Sequence, residues 1–260
     1  RKILVEGILL IDKPAGITSY GVVDQLKKKF ALRRAGHGGT LDPMATGLLV
    51  LLLGKATKVA SKILNGDKEY EAAILLGRET DTQDISGRVL RAVDGLEVKR
   101  EVIERALDCF RGEIEQIPPM VSALKYRGKR LYQLARRGEE VPRPPRQIVI
   151  KKLELLGACS SNGSLRAHYS GRPLRIVNPY VKLRIRCSKG TYIRTLSHDL
   201  GKKLGCGACL ASLRRTAVGP FTVDKAYPLS ELLECSKHQA KARVIPLGQL
   251  TRTTPIAIRG

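Results

Sequence analysis

The sequence predicts an α+β fold, and three segments carry that expectation. Gly7-Ile-Leu-Leu-Ile-Asp12 is an unbroken apolar run that reads as a buried strand. In Val181-Lys-Leu-Arg-Ile-Arg-Cys187 a period of two puts Val181, Leu183, Ile185 and Cys187 on one face and Lys182, Arg184 and Arg186 on the other. Glu101 to Phe110 sets Val102, Ile103, Ala106, Leu107 and Phe110 in helical register. Strands and helices of this kind are interspersed, with no internal repeat, no low-complexity tract and no clear linker before about residue 235.

In chain order, Lys13-Pro14 ends the first strand because proline cannot donate to a ladder. Thr18 or Ser19 then caps a helix whose Val22, Val23, Leu26 and Phe30 share a face, and whose basic end (Lys27, Lys28, Lys29) suits a helix C-terminus. Gly36 to Pro43 is a loop by composition, and Ala45 to Leu53 returns to the core. A second helix is expected over Lys55 to Leu64, a strand over Tyr70 to Leu76, a turn at Asp84 to Gly87 and a short strand over Arg88 to Arg91. A short helix near Arg130 to Arg137, stopped at Gly138, leads into the extended arm Val141-Pro-Arg-Pro-Pro145. Ser188-Lys-Gly190 turns the chain into a helix with Ile193, Leu196, Leu200 and Leu204 along one side and Arg194 in its first turn.

The charge points to the partner. With 47 Lys plus Arg against 24 Asp plus Glu, the chain carries a formal +23. So wide a margin predicts attraction to a polyanion, nucleic acid first and an anionic membrane surface second. At 43% hydrophobic residues the chain has enough apolar content for a core, which excludes a disordered or fibrous class. The segment Pro118 to Arg146 interleaves basic residues with Tyr126 and Tyr132, a composition that grips phosphates and stacks bases. The uniformly cationic face of 181–187 is expected to line the same groove.

Other classes fall away. The apolar stretch Leu48 to Leu53 is far short of the roughly 20 residues that span a bilayer, and no secretion signal is visible, so a cytoplasmic home is expected. The six cysteines are too sparse and irregular for a disulfide framework. Cys206-Gly-Ala-Cys209 has no second ligand pair to complete a tetrahedral zinc site, so no metal is expected. Gly54-Lys-Ala-Thr57 resembles the end of a phosphate-binding loop, but Leu49 stands where its first glycine belongs. No nucleophile elbow occurs. What remains is Asp42, in a loop of small residues after His37 and before Pro43. A carboxylate can attack an anomeric carbon without a cofactor, although an aspartate before proline also serves as a plain turn former.

Gly36-His-Gly-Gly-Thr-Leu-Asp-Pro-Met-Ala-Thr-Gly-Leu-Leu49 resembles the catalytic signature of the bacterial tRNA pseudouridine synthase B (TruB) family. Asp12-Lys-Pro14, Lys68-Glu-Tyr-Glu71, Thr80-Asp-Thr-Gln-Asp-Ile-Ser-Gly87, Pro119-Met-Val-Ser-Ala-Leu-Lys125, Lys189-Gly-Thr-Tyr-Ile-Arg-Thr195 and Leu213-Arg-Arg215 resemble its other landmarks, in its order, over about residues 7 to 235. The resemblance implies the pseudouridine synthase fold: a bent, mixed, mostly antiparallel sheet with flanking helices and a central RNA-binding cleft. It implies isomerisation of uridine 55 in the TΨC arm of tRNA, with base flipping and no cofactor. Asp42 would be the essential carboxylate, His37 would help extrude the nucleotide, and Tyr70 would stack on the flipped uracil. Tyr192 and Leu213 would line the base pocket and Arg194 would pair with Asp42. Asp84 would lie near the cleft.

Residues 1–235 are expected to form the catalytic domain, with 118–146 as an RNA-gripping insertion. The 25 residues from 236 to 260 are too few for an independent core, so no complete RNA-binding domain of the PUA type is expected there. Residues 160–175 match no landmark and suggest a hairpin particular to this chain. A monomer is expected. The competing readings are a non-catalytic RNA-binding protein or tRNA chaperone, which would have no use for an acid amid phosphate-attracting charge, and a glycoside hydrolase, which would want a second carboxylate about 5 to 10 Å from the first.

Overall fold

The computed structural model describes residues 6–58, 65–93, 96–159 and 180–249. In chain order its elements are β1 (Gly7–Lys13), α1 (Ser19–Phe30), β2 (Ala35–His37), β3 (Thr46–Leu53), β4 (Lys68–Leu76), β5 (Arg78–Thr80), β6 (Val89–Ala92), α2 (Arg100–Asp108), β7 (Gly112–Gln116), β8 (Lys125–Tyr126), β9 (Lys129–Arg130) and α3 (Leu131–Ala135). There follow β10 (Arg146–Cys159), β11 (Tyr180–Cys187), α4 (Ile193–Lys203), β12 (Ala208–Val218), β13 (Phe221–Thr222), β14 (Tyr227–Pro228), α5 (Leu229–Glu234), α6 (Lys237–Ala242) and β15 (Ile245–Pro246). This is an α+β fold with a mixed, mostly antiparallel sheet. The chain divides into two compact units, residues 1–70 with 213–260 and residues 71–212. The divisions fall inside β4 and β12, where nothing in the sequence marks a linker.

The first unit is built on β3. Its residues Leu48 to Leu53 are each 2% exposed or less, because both faces of the strand are covered. One face joins Ile8, Leu10, Leu48, Val50 and Leu52 to Val218 and Phe221. On the other, Leu9, Leu51 and Leu53 line a small cleft together with Leu26 and Phe30 of α1 and Ala240 of α6. Burying a side chain of this size is worth about 1.5–3 kcal/mol. β1 runs antiparallel to β3, from Gly7 opposite Leu53 to Lys13 opposite Gly47. β12 lies parallel to β3 at Arg214 and Arg215. Thr18 caps α1, accepting from the Gly21 N–H at 2.9 Å, and Ala31 ends the helix in the left-handed region. Residues 54–58 form a 3-10 turn where the helix expected over 55–64 would begin; the rest of that segment, and residues 160–175, lie outside the described residues. Past residue 235, Ser236 caps α6 and β15 pairs antiparallel with β1.

In the second unit β4, β11, β10 and β7 are neighbours in that order. The alternation predicted for β11 holds: Val181, Leu183, Ile185 and Cys187 are fully buried, and Lys182 and Arg186 are exposed. Arg184 pairs with Glu71 at 3.0 Å. α2 buries Ile103, Ala106 and Leu107 and ends at Asp108, two residues before the predicted limit, because Cys109 caps it. α4 packs close to the loop after it, where a Cβ on Gly201 would sit 2.1 Å from the Ala208 nitrogen. The basic segment 118–146 holds the small β8–β9 hairpin and α3, and Arg143 ties its far end back to the Pro118 carbonyl at 3.1 Å. The tyrosines here carry their own cations, with Arg127 over Tyr126 at 5.5 Å and Arg136 over Tyr132 at 5.6 Å.

Candidate active site

Asp42 sits half-buried in the loop between β2 and β3, and that loop is held from several directions. Ser19, in the first turn of α1, accepts from the Leu41 N–H at 2.8 Å and donates to the Leu41 carbonyl at 3.0 Å. Lys13 is completely buried and its ammonium donates to Pro14 O, Ile17 O and Pro43 O at 2.8, 2.8 and 3.2 Å. The Asp42 carbonyl accepts from the Ala45 N–H at 3.0 Å, which closes the turn into β3. Burial pushes the Lys13 ammonium down to about 8, with the Asp42 charge acting against that shift and Arg215 adding to it.

His37 ends β2 in the same loop, with its Nδ1 buried and lacking a hydrogen-bond partner. Burial first, and the charge of Arg215 second, hold its imidazole below the usual histidine range, so it is neutral at pH 7. Leu213 is buried on β12, and its carbonyl accepts from the Thr46 hydroxyl at 3.4 Å. Tyr70 is buried on β4. Asp42, His37, Tyr70 and Leu213 therefore all belong to the first unit.

Tyr192 and Arg194 belong to the second unit, at the start of α4. The buried amide of Gln116 brackets the Tyr192 backbone, accepting from its N–H at 2.7 Å and donating to its carbonyl at 3.0 Å. The buried Arg194 guanidinium donates to Thr82 O at 3.0 Å and Val121 O at 2.8 Å and lies 3.8 Å from an Asp84 carboxylate oxygen. Asp84 is itself 5% exposed, with its other oxygen accepting from the Thr82 hydroxyl and from the backbone and hydroxyl of Ser86.

These loops and buried charges sit on a chain whose residues 27–193 match the profile described as the TruB family pseudouridylate synthase N-terminal domain. The chain belongs to that family. Residues 194–252 match the profile of a tRNA pseudouridylate synthase B C-terminal domain. A tRNA pseudouridine synthase B of Bordetella pertussis is 46% identical over 234 residues, covering 89% of this chain and 88% of its own. The Aromatoleum aromaticum protein of the same name is 49% identical over 229 residues, covering 88% and 68%. Among solved structures, a Cbf5-Nop10-Gar1 complex contains a chain with a TM-score of 0.66 and 30% identity. The match covers 94% of this chain and 60% of that one.

Several buried polar residues of this pseudouridylate synthase are less legible in the sequence than the loop that carries Asp42. Lys13 is legible as the end of a strand within the landmark Asp12-Lys-Pro14, Asp84 as a turn former expected near the cleft, and Gln116 as nothing in particular. Arg215 is 1% exposed, donating to Leu48 O at 2.8 Å, Gly39 O at 3.1 Å and Thr40 O at 3.5 Å. Its signals in the sequence are a charge in an apolar-patterned segment and its place in the landmark Leu213-Arg-Arg215. Among the described residues, no three of His, Cys, Asp and Glu converge as a metal group, and no helix is long and apolar enough to cross a membrane. Burial pushes the Cys209 thiol up to about 11 and raises that of Cys206.

Proposed function

We propose that this pseudouridylate synthase acts on tRNA, converting uridine 55 of the TΨC arm to pseudouridine, with Asp42 as the essential carboxylate. The observation that carries the reading is the setting of Asp42: an acid in a loop fixed on both sides by buried side chains, within a chain of net charge +23. A binder of RNA gains nothing from such an acid, because it weakens attraction to phosphate. The tRNA substrate is supported by relatives named for it at 46–49% identity. The enzyme acts in the cytoplasm, as a monomer.

The reaction breaks the C1′–N1 bond, turns the uracil while it is held, and joins C5 to C1′. The proton lost from C5 is balanced by the one gained at N1, so no oxidant or energy source enters. The Asp42 carboxylate acts either at C1′, giving a glycosyl ester, or on the C2′ hydrogen, giving a glycal. Both routes profit from a pocket that keeps the cleaved base in place. The target must leave its stack first, and the family resemblance assigns that help to the neutral His37. By the same resemblance Tyr70 stacks on the flipped uracil, Tyr192 and Leu213 wall the pocket, and Arg194 belongs to the uridine-binding set. Unmodified tRNA transcript incubated with the protein and mapped by carbodiimide-dependent primer extension is expected to stop the polymerase at position 55. Asp42→Asn is expected to bind tRNA and give no stop. Turnover by that variant at the parental rate, or a stop elsewhere, would overturn the reading.

A further inference from the structure

We infer that Arg215 is a positioning residue for the reaction: together with Lys13 it forms a buried cationic row beneath the Asp42 loop and sets where that loop sits. The register of the strands places this row. On β3, Gly47 is opposite Lys13 of β1 on one side and opposite Arg215 of β12 on the other. Residues in register on neighbouring strands project to the same face. Gly47 itself projects nothing, and a Cβ there would lie 2.3 Å from the Arg215 carbonyl oxygen. The side chains of that row are therefore two cations with no third side chain between them.

Both reach to the same loop from different strands. Arg215 donates to the carbonyls of Gly39 and Thr40, before Asp42, and through its Nε to Leu48 O in β3. Lys13 donates to Pro43 O, immediately after Asp42. Carbonyls on both sides of the acid are thus bound to buried positive groups that meet no water. The Arg215 guanidinium reaches its three carbonyls with a planar, spread fork of donors, a geometry that the compact ammonium of a lysine at the same position does not reproduce. The neighbouring residue reinforces the arrangement from the other face of β12: Arg214 makes two bonds to Asp12, at 3.0 and 2.7 Å, and so ties β12 to β1 across β3. Arg215 also acts on His37, whose imidazole its charge depresses.

The inference rests on the reading of Asp42 as the acting carboxylate, so the two are tested together. Arg215→Lys, Arg215→Gln, Arg215→Met and Asp42→Asn are assayed by tritium release from tRNA transcript labelled at uracil C5. The His37 imidazole is titrated by NMR in each. A loop displaced by a fraction of an ångström is expected to lower kcat by about tenfold or more in Arg215→Lys, with KM within about twofold of the parent. Arg215→Met and Arg215→Gln should lose more, and His37 should titrate at higher pH in them but not in Arg215→Lys. Loss of fold alone would lower activity with the folded fraction and leave kcat per folded molecule and the His37 titration where they were. Parental kcat per folded molecule in Arg215→Lys, or an unmoved His37 in either neutral variant, overturns the role of Arg215. If the neutral variants do not fold, the kcat of Arg215→Lys decides alone. An active Asp42→Asn overturns the reading of Asp42, whatever Arg215 does.

Discussion

Lys13 and Arg215 stand on either side of Gly47, each in register with it on a neighbouring strand, and both are buried. The glycine between them has a φ of +95°, a backbone region that side chains disfavour, and no room for a methyl group. Gly47→Ala therefore combines backbone strain with a clash against the Arg215 backbone. The expected loss is about 3 kcal/mol or more, read as a fall in the urea midpoint at unchanged m-value. A variant as stable as the parent would mean that β3 and β12 do not approach as described.

Lys13 makes stability depend on pH in a predictable direction. Its ammonium is held at about 8 in the folded protein against 10.5 for the free group, chiefly by burial. Between those values the unfolded chain binds more protons, so stability rises with pH through this window and is lost again as pH falls toward 8. The free energy linked to the shift is on the order of 3 kcal/mol. Tyrosine and cysteine titrate in the same range but do so equally in Lys13→Met, so the difference between the two proteins isolates the lysine. That difference, from urea unfolding at a series of pH values, should move in favour of the parent from pH 8 to 10.5. A flat difference would contradict the burial of the charged group.

Which parts of this fold the sequence displays follows from where its side chains point. β1, α1, β11 and α4 are visible because each buries one regular face or a continuous apolar run. β10 is not, although Ile148, Ile150, Leu153 and Leu155 are buried along it, because register shifts between residues 150 and 152 and between 155 and 157 break the alternation. β12 is hidden by Arg215, a charge on a buried face. The candidate site divides in the same way. His37, Asp42, Lys13 and Arg215 all stand in motifs that resemble a known family, but Lys13, Arg215 and Gln116 work by bonding to backbone groups, several of them distant in sequence. Hydropathy assigns such residues to the surface, and no local pattern reveals the carbonyls they serve.

Asp84 shows how a residue can satisfy a local reading and a distant one together. One carboxylate oxygen accepts three bonds from Thr82 and Ser86, which is the turn that composition predicts. The other faces the Arg194 guanidinium at 3.8 Å, in surroundings where both side chains are less than a tenth exposed. Removing a carboxylate from such a pair deprives a buried cation of that counter-charge, at a cost of about 3–5 kcal/mol. Asp84→Ala should lose both the turn bonds and the ion pair and show that full cost in urea unfolding. Asp84→Asn keeps an acceptor for the turn and loses only the charge, so it should fall between the alanine variant and the parent. The order matters more than the size: if asparagine proves as damaging as alanine, the charge facing Arg194 carries the whole effect, and if it equals the parent, the turn does. In the first case Arg194 is the residue that Asp84 chiefly serves, and tRNA turnover should fall in Asp84→Asn as well, measured by the same tritium release at matched folded fraction.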